Sequence, residues 1–149
     1  IESGTLHAIG KGILIAEIQQ NSNTTYRVYD YGRVGKDGKP RELHIEKAID
    51  VTELCPPKYD TKPQGKPVKI DGGEETLLRS CEYFDVHKIK VSGTVTLDAD
   101  EKSFMSVLVL DGSGKIGELD AKKGDSFFVP CSGEKIRAEG DCELILTHI

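Results

Sequence analysis

The stretch His87-Lys-Ile-Lys-Val-Ser-Gly-Thr-Val-Thr-Leu97, with Ser103-Phe-Met-Ser-Val-Leu-Val-Leu110 close behind it, decides the fold class. His87, Ile89 and Val91 alternate with Lys88 and Lys90, and Val95 and Leu97 alternate with Thr94 and Thr96, which is the period of a strand with one face in a core. The second run is apolar almost throughout and reads as a buried strand. Downstream, Gly112 to Gly114, Gly124-Asp125 and Gly133 punctuate the chain at short intervals, and no long helical pattern intervenes. Short strands separated by glycine turns predict an all-β fold, an antiparallel sandwich or barrel.

Working outward, Cys55-Pro-Pro-Lys-Tyr-Asp-Thr-Lys-Pro-Gln-Gly-Lys-Pro67 holds four of the six prolines. Missing amide donors and fixed dihedrals disfavour a regular element there, so residues 52–67 are expected to be a linker. This divides the chain into residues 1–51 and 68–149, and only the latter piece is large enough to fold comfortably alone. In the former, Ile13 to Gln19 and Thr24 to Asp30 read as two strands about the polar loop Asn21-Ser-Asn23, Asp37-Gly38 as a turn, and Glu42 to Asp50 as a short helix with Ile45 and Ile49 on one face.

Composition bounds the function. The 149 residues carry 20 basic and 25 acidic side chains, a net charge of -5, which excludes a basic nucleic-acid footprint. With 37% hydrophobic and 30% charged residues the chain can bury a core, and no apolar run approaches the roughly 18 residues of a membrane span. Cys55, Cys81, Cys131 and Cys142 show no Cys-x-x-Cys spacing and read as free thiols, as in a reducing cytoplasm.

Setting Gly4 against Gly133 without a gap aligns Ser3-Gly-Thr-Leu-His-Ala-Ile-Gly-Lys-Gly-Ile-Leu-Ile-Ala-Glu17 with Ser132-Gly-Glu-Lys-Ile-Arg-Ala-Glu-Gly-Asp-Cys-Glu-Leu-Ile-Leu146. Both run from a Ser-Gly turn into an apolar strand, so each reads as the closing edge of a barrel, the first one cut from its earlier strands. Such an edge needs a partner, a swap with a second copy or the missing strands. Chance recurrence of a common β pattern is the alternative. His7 and Glu17 in the first copy stand where the second has Ile136 and Leu146, so the polar copy is the functional candidate and the apolar one structural.

Glu17 interrupts an apolar run, and an unpaired carboxylate buried there would cost several kcal/mol. Folding the two expected strands about Ser22 sets Glu17 opposite Arg27, an ion pair that on a half-exposed sheet would be ordinary. A lone histidine such as His7, with no second ligand at helical or hairpin spacing, is more often a hydrogen-bonded surface or core imidazole than a metal ligand. Gly10-Lys-Gly12 precedes a strand and reads as a turn rather than a phosphate cradle. Asp111-Gly-Ser-Gly-Lys115 reads as a hairpin loop, Tyr26, Tyr29 and Tyr31 as strand packing, and His44, His87 and His148 have no ligand-like spacing.

Residues 3–33, from Ser-Gly-Thr-Leu-His7 through Thr-Thr-Tyr-Arg27-Val-Tyr-Asp30, together with Asp37 to Val51, closely resemble type I mannose-6-phosphate isomerases in the shorter form of Gram-positive bacteria. Tyr83 to Ile89, Gly124 to Pro130 and the last strand are similar to that family's C-terminal cupin domain. The resemblance implies a double-stranded β-helix (jelly-roll) barrel in residues 68–149. It makes residues 1–51 the closing part of a catalytic cupin. The family is zinc-dependent and interconverts mannose 6-phosphate and fructose 6-phosphate, so a small sugar phosphate is the implied ligand. By the same resemblance His7 corresponds to the last zinc ligand, Arg27 to the active-site arginine and Glu17 to an acidic position in the same pocket. Glu2 replaces a common proline, and the family's Gln-x-His and glutamate ligands have no counterpart here. A non-catalytic cupin, sugar-binding or regulatory, is the competing expectation.

Overall fold

The fold is known from a computed structural model, which describes residues 1–56, 58–99 and 101–149. Of the proline-rich stretch, Pro57 lies outside the described residues. The chain divides into two compact units, Ile1–Asp60 and Thr61–Ile149.

The second unit is the barrel that the strand pattern predicts. Seven strands, β1 (Val68–Ile70), β2 (Gly73–Ser80), β3 (Asp85–Asp98), β4 (Met105–Ile116), β5 (Leu119–Lys122), β6 (Ser126–Val129) and β7 (Lys135–His148), pair antiparallel throughout. Their order is β1-β2-β3-β7-β4-β5, with β6 also on β4, so the last strand in sequence sits between the two other long ones. Period-two burial along these strands makes one core. Ile89, Val91, Val95 and Leu97 of β3 meet Met105, Val107 and Val109 of β4 and Ala138, Cys142, Leu144 and Leu146 of β7, all 9% exposed or less.

Three long strands can wrap one core only if they bend at a common level. Gly93 pairs with Gly140 in β7, and Gly140 pairs with Gly114 in β4, a glycine row across the three strands. At Gly140 φ is +123°, and a Cβ there would lie 2.7 Å from Ser113 O. A Cβ on Gly114 would lie 1.9 Å from Glu139 O. Glycine is required there because backbones cross closely at the bend.

The same geometry corrects the reading of Asp111 to Lys115. These residues are not a hairpin loop but the outer half of β4, pairing with β7 and β5. Gly112 and Gly114 admit the close backbone of β7, and a bulge between Val109 and Asp111 turns the strand. The reversal comes at Gly117-Glu118, a two-residue link between Ile116 and Leu119.

In the first unit the helix expected after Glu42 is α1 (Ile45–Val51). Its buried residue is Ala48, whereas Ile45 and Ile49 are 51% and 70% exposed. The two expected strands, Ile13 to Gln19 and Thr24 to Asp30, carry no ladder, and among the described residues the regular pairing of this unit is one bridge, Val34 with Pro40. Two short strands alone are marginal without a third strand or a helix over their apolar face, and Ile13, Leu14 and Ile15 are 62%, 88% and 45% exposed. The aligned Ser-Gly turns do share a conformation, with φ of +83° at Gly4 and +66° at Gly133. Beyond those turns only the second copy, β7, is a strand.

Candidate functional site

Asp30 organises the first unit. Its carboxylate is 7% exposed and draws in three guanidinium groups. Arg41 grips it with both Nε, at 2.6 Å from Oδ2, and Nη2 on Oδ1. Arg33 Nη2 lies 2.8 Å from Oδ1, and Arg27 Nε 4.0 Å from the same oxygen. The hydrogen bonds from Arg41, and then the charges of Arg33, Arg41 and Arg27, hold the Asp30 carboxyl below the usual aspartate range against the opposing effect of burial. The Arg41 guanidinium is pushed up by the same contact.

Arg27 is therefore half-buried and fixed at several points. Its Nη1 donates to Glu42 O at 3.1 Å, its backbone N–H donates to His44 Nδ1 at 3.2 Å, and its carbonyl accepts from His44 N–H at 2.7 Å. His44 is also the residue that starts α1, so the helix and the arginine are positioned together. Three cations on one carboxylate leave a local excess of positive charge, suited to an anionic ligand or a developing oxyanion.

The expected partner of Arg27 is corrected here. Without a ladder there is no register to bring Glu17 opposite it, and Asp30, only three residues away, takes the role. Glu17 is exposed. His7 is exposed too, with its Nδ1 2.8 Å from Thr5 O. An Nδ1–H given to a carbonyl sets the tautomer that leaves the Nε2 lone pair free, the usual arrangement behind a metal-ligating imidazole. Among the described residues no other His, Cys, Asp or Glu joins His7 in a three-ligand group. Among the described residues, two clefts of the second unit are lined without His7, Glu17 or Arg27.

In the second unit the sequence reading passed over a polar cluster at one end of the core. His87 Nδ1 lies 2.8 Å from Glu75 Oε1, and the His87 ring stacks on that of His148 with centroids 5.5 Å apart. Asp85 stands beside them, so that donor atoms of Asp85, His87 and His148 all lie within 4.8 Å of one another. One signal was available in the sequence: His87 shares its face with Ile89 and Val91, so strand alternation already points it inward. The positions aligned with His7 and Glu17, by contrast, serve packing, for Leu146 is in the core and Ile136 rests against it. All four cysteines are free thiols, and burial pushes that of Cys142 up. No helix among the described residues is long and apolar enough to cross a membrane.

Comparison with known proteins agrees with this architecture. The family described as "Mannose-6-phosphate isomerase, cupin domain" matches residues 73–149. The chain is 41% identical over 153 residues to mannose-6-phosphate isomerase ManA of Bacillus subtilis, covering 100% of this chain and 48% of that protein. It is 40% identical over 152 residues to mannose-6-phosphate isomerase of Streptococcus mutans, covering 99% of this chain and 47% of that protein. The crystal structure of the mannose 6-phosphate isomerase from Bacillus subtilis superposes with a TM-score of 0.73 at 36% identity, over 87% of this chain and 42% of that one. The chain thus spans about half the length of the curated relatives it matches. With its second unit matched along all the long strands and its whole length aligned to such relatives, the chain belongs to the mannose-6-phosphate isomerase cupin family.

Proposed function

We propose that this chain is the second half of an aldose-ketose isomerase that interconverts mannose 6-phosphate and fructose 6-phosphate. The observation that carries the reading is the match of the whole chain, at 41% identity, to one end of a mannose-6-phosphate isomerase. The charge arrangement around Arg27 supports it. The reaction moves a proton between C1 and C2 of the open-chain sugar through an enediolate, and the oxygen that gains negative charge needs a fixed cation near it. Arg27 supplies that cation. Asp30 and the Glu42 carbonyl hold its guanidinium, so little reorganisation is needed when charge develops. Asp30 is a positioning residue. Glu17, free of Arg27, is left to face the sugar hydroxyls.

The zinc implied by the family does not fit this chain alone. Zinc takes three or four protein ligands, and around His7 the described residues supply one imidazole. The Gln-x-His and glutamate ligands that the resemblance implies have no counterpart among these residues.

In the full-length protein, Arg27→Ala is expected to lower kcat by roughly 100- to 10,000-fold with bound zinc unchanged, the range for loss of a preorganised charge. Isomerase turnover beside elemental analysis measures both. An unaltered kcat removes Arg27 from the chemistry.

A further inference from the structure

We propose a second metal site, in the barrel of residues 61–149, in which His87, His148 and Asp85 bind a divalent first-row transition ion such as Zn²⁺. The three residues come from two paired strands. In β3, Asp85 and His87 are two apart and so share the face that continues into Ile89 and Val91. In β7, His148 continues the inward row of Leu144 and Leu146. The register pairs Asp85 with His148 and His87 with Leu146, so the three side chains meet where the apolar rows end. They close that end of the core with nitrogen and oxygen donors instead of another apolar layer.

Four observations point to an ion rather than to a hydrogen-bonded network. The donor atoms lie within 4.8 Å of one another, while ligand atoms about 2.1 Å from a tetrahedral zinc are about 3.4 Å apart, a contraction within reach of side-chain rotation. All three residues are half-buried. Among the described residues neither the Asp85 carboxylate nor the His148 imidazole has a side-chain hydrogen bond or ion pair, so their lone pairs are not spent on the protein. His87 Nδ1 is buried and, although 2.8 Å from Glu75 Oε1, is not aligned for a hydrogen bond with it. A carboxylate against one nitrogen of an imidazole that ligates through the other is the standard outer support of a metal-bound histidine, and Glu75 of β2 is placed for that role. Glu75 and His148 also line an open cleft, so one of the three ligands can be reached from solvent.

Two imidazoles and one carboxylate suit zinc and its neighbours in the first row, and disfavour magnesium and calcium, which prefer oxygen alone. The ion would tie the end of β7 to β3. This site shares no residue with the one around His7 and does not depend on the isomerase reading.

The test is titration of the 149-residue chain with Zn²⁺ by calorimetry and with Co²⁺ by its visible absorption, on the unsubstituted chain, on four single variants and on the variant lacking both His87 and His148. One ion per chain is expected, with a rise in Tm that a chelator reverses. His87→Ala and His148→Ala should each weaken binding at least 100-fold, beyond the roughly 10- to 100-fold typical of an outer partner, and Glu75→Gln should fall within that lesser range. His7→Ala should bind as the unsubstituted chain does. Far-UV circular dichroism checks folding, and if an alanine variant unfolds, His87→Gln replaces it with the same expectation. Absence of binding to the unsubstituted chain, binding that survives loss of both His87 and His148, or binding lost with His7→Ala would each overturn the site.

Discussion

Asp30 shows how one short side chain can set the electrostatics of a region. Its carboxylate is shared by Arg41, Arg33 and Arg27, so removing its charge would leave three guanidinium groups facing one another. Because its folded pKa lies below the unfolded value of about 3.9, its ionised form favours the folded state. That contribution is present above about pH 3.9 and is lost as pH falls through the lowered folded value. A ¹³C NMR titration of the Asp30 carboxyl is therefore expected to give a midpoint below 3.9, and Arg41→Ala, which deletes the largest cause, should move it upward. A midpoint at or above 3.9 in the unsubstituted chain would show that the arginines do not act on it as described. Sequence alone could not show this convergence. Arg27, Arg33 and Arg41 have no common period, and what joins them is the fold of the loop, whereas Glu17 looked like the natural partner only on the assumption of a hairpin.

At the scale of elements, strand parity carried most of the information. The alternation of His87 to Val91 and of Val95 to Leu97 placed β3 and its buried face correctly, and the apolar run ending at Leu110 marked β4. Composition misled where glycine serves contact instead of reversal. Asp111-Gly-Ser-Gly-Lys115 has the make-up of a turn, yet its glycines pair within a strand, where β7 passes too close for a Cβ. Parity also aimed His87 inward, but the cluster it joins needs the pairing of Asp85 with His148, across a separation that no local pattern reports. The glycine row makes its own prediction. Gly140→Ala forces φ of +123° on a residue with a Cβ and sets that carbon 2.7 Å from Ser113 O, so it should cost about 1–3 kcal/mol. Urea unfolding measures this as a lower midpoint at constant slope, and an unchanged midpoint would mean that the bend does not require glycine.

At the scale of the molecule, the two units differ in what holds them. Residues 61–149 close a continuous apolar core within themselves, from Ile89 to Leu146, while the first unit has one short helix, an arginine cluster and many exposed apolar side chains. A chain of residues 61–149 alone is accordingly expected to keep a β-type circular dichroism spectrum and a single cooperative thermal transition. Loss of cooperativity in that chain would show that its core needs residues 1–60.

The place of β7 between β3 and β4 has a consequence for biosynthesis. During vectorial translation the first six strands emerge before the one that bridges them, so two long edges stay open and sticky in the nascent polypeptide until the seventh arrives. Closure then joins residues as distant in sequence as Asp85 and His148, a high contact order that slows folding and prolongs exposure to aggregation and to chaperones.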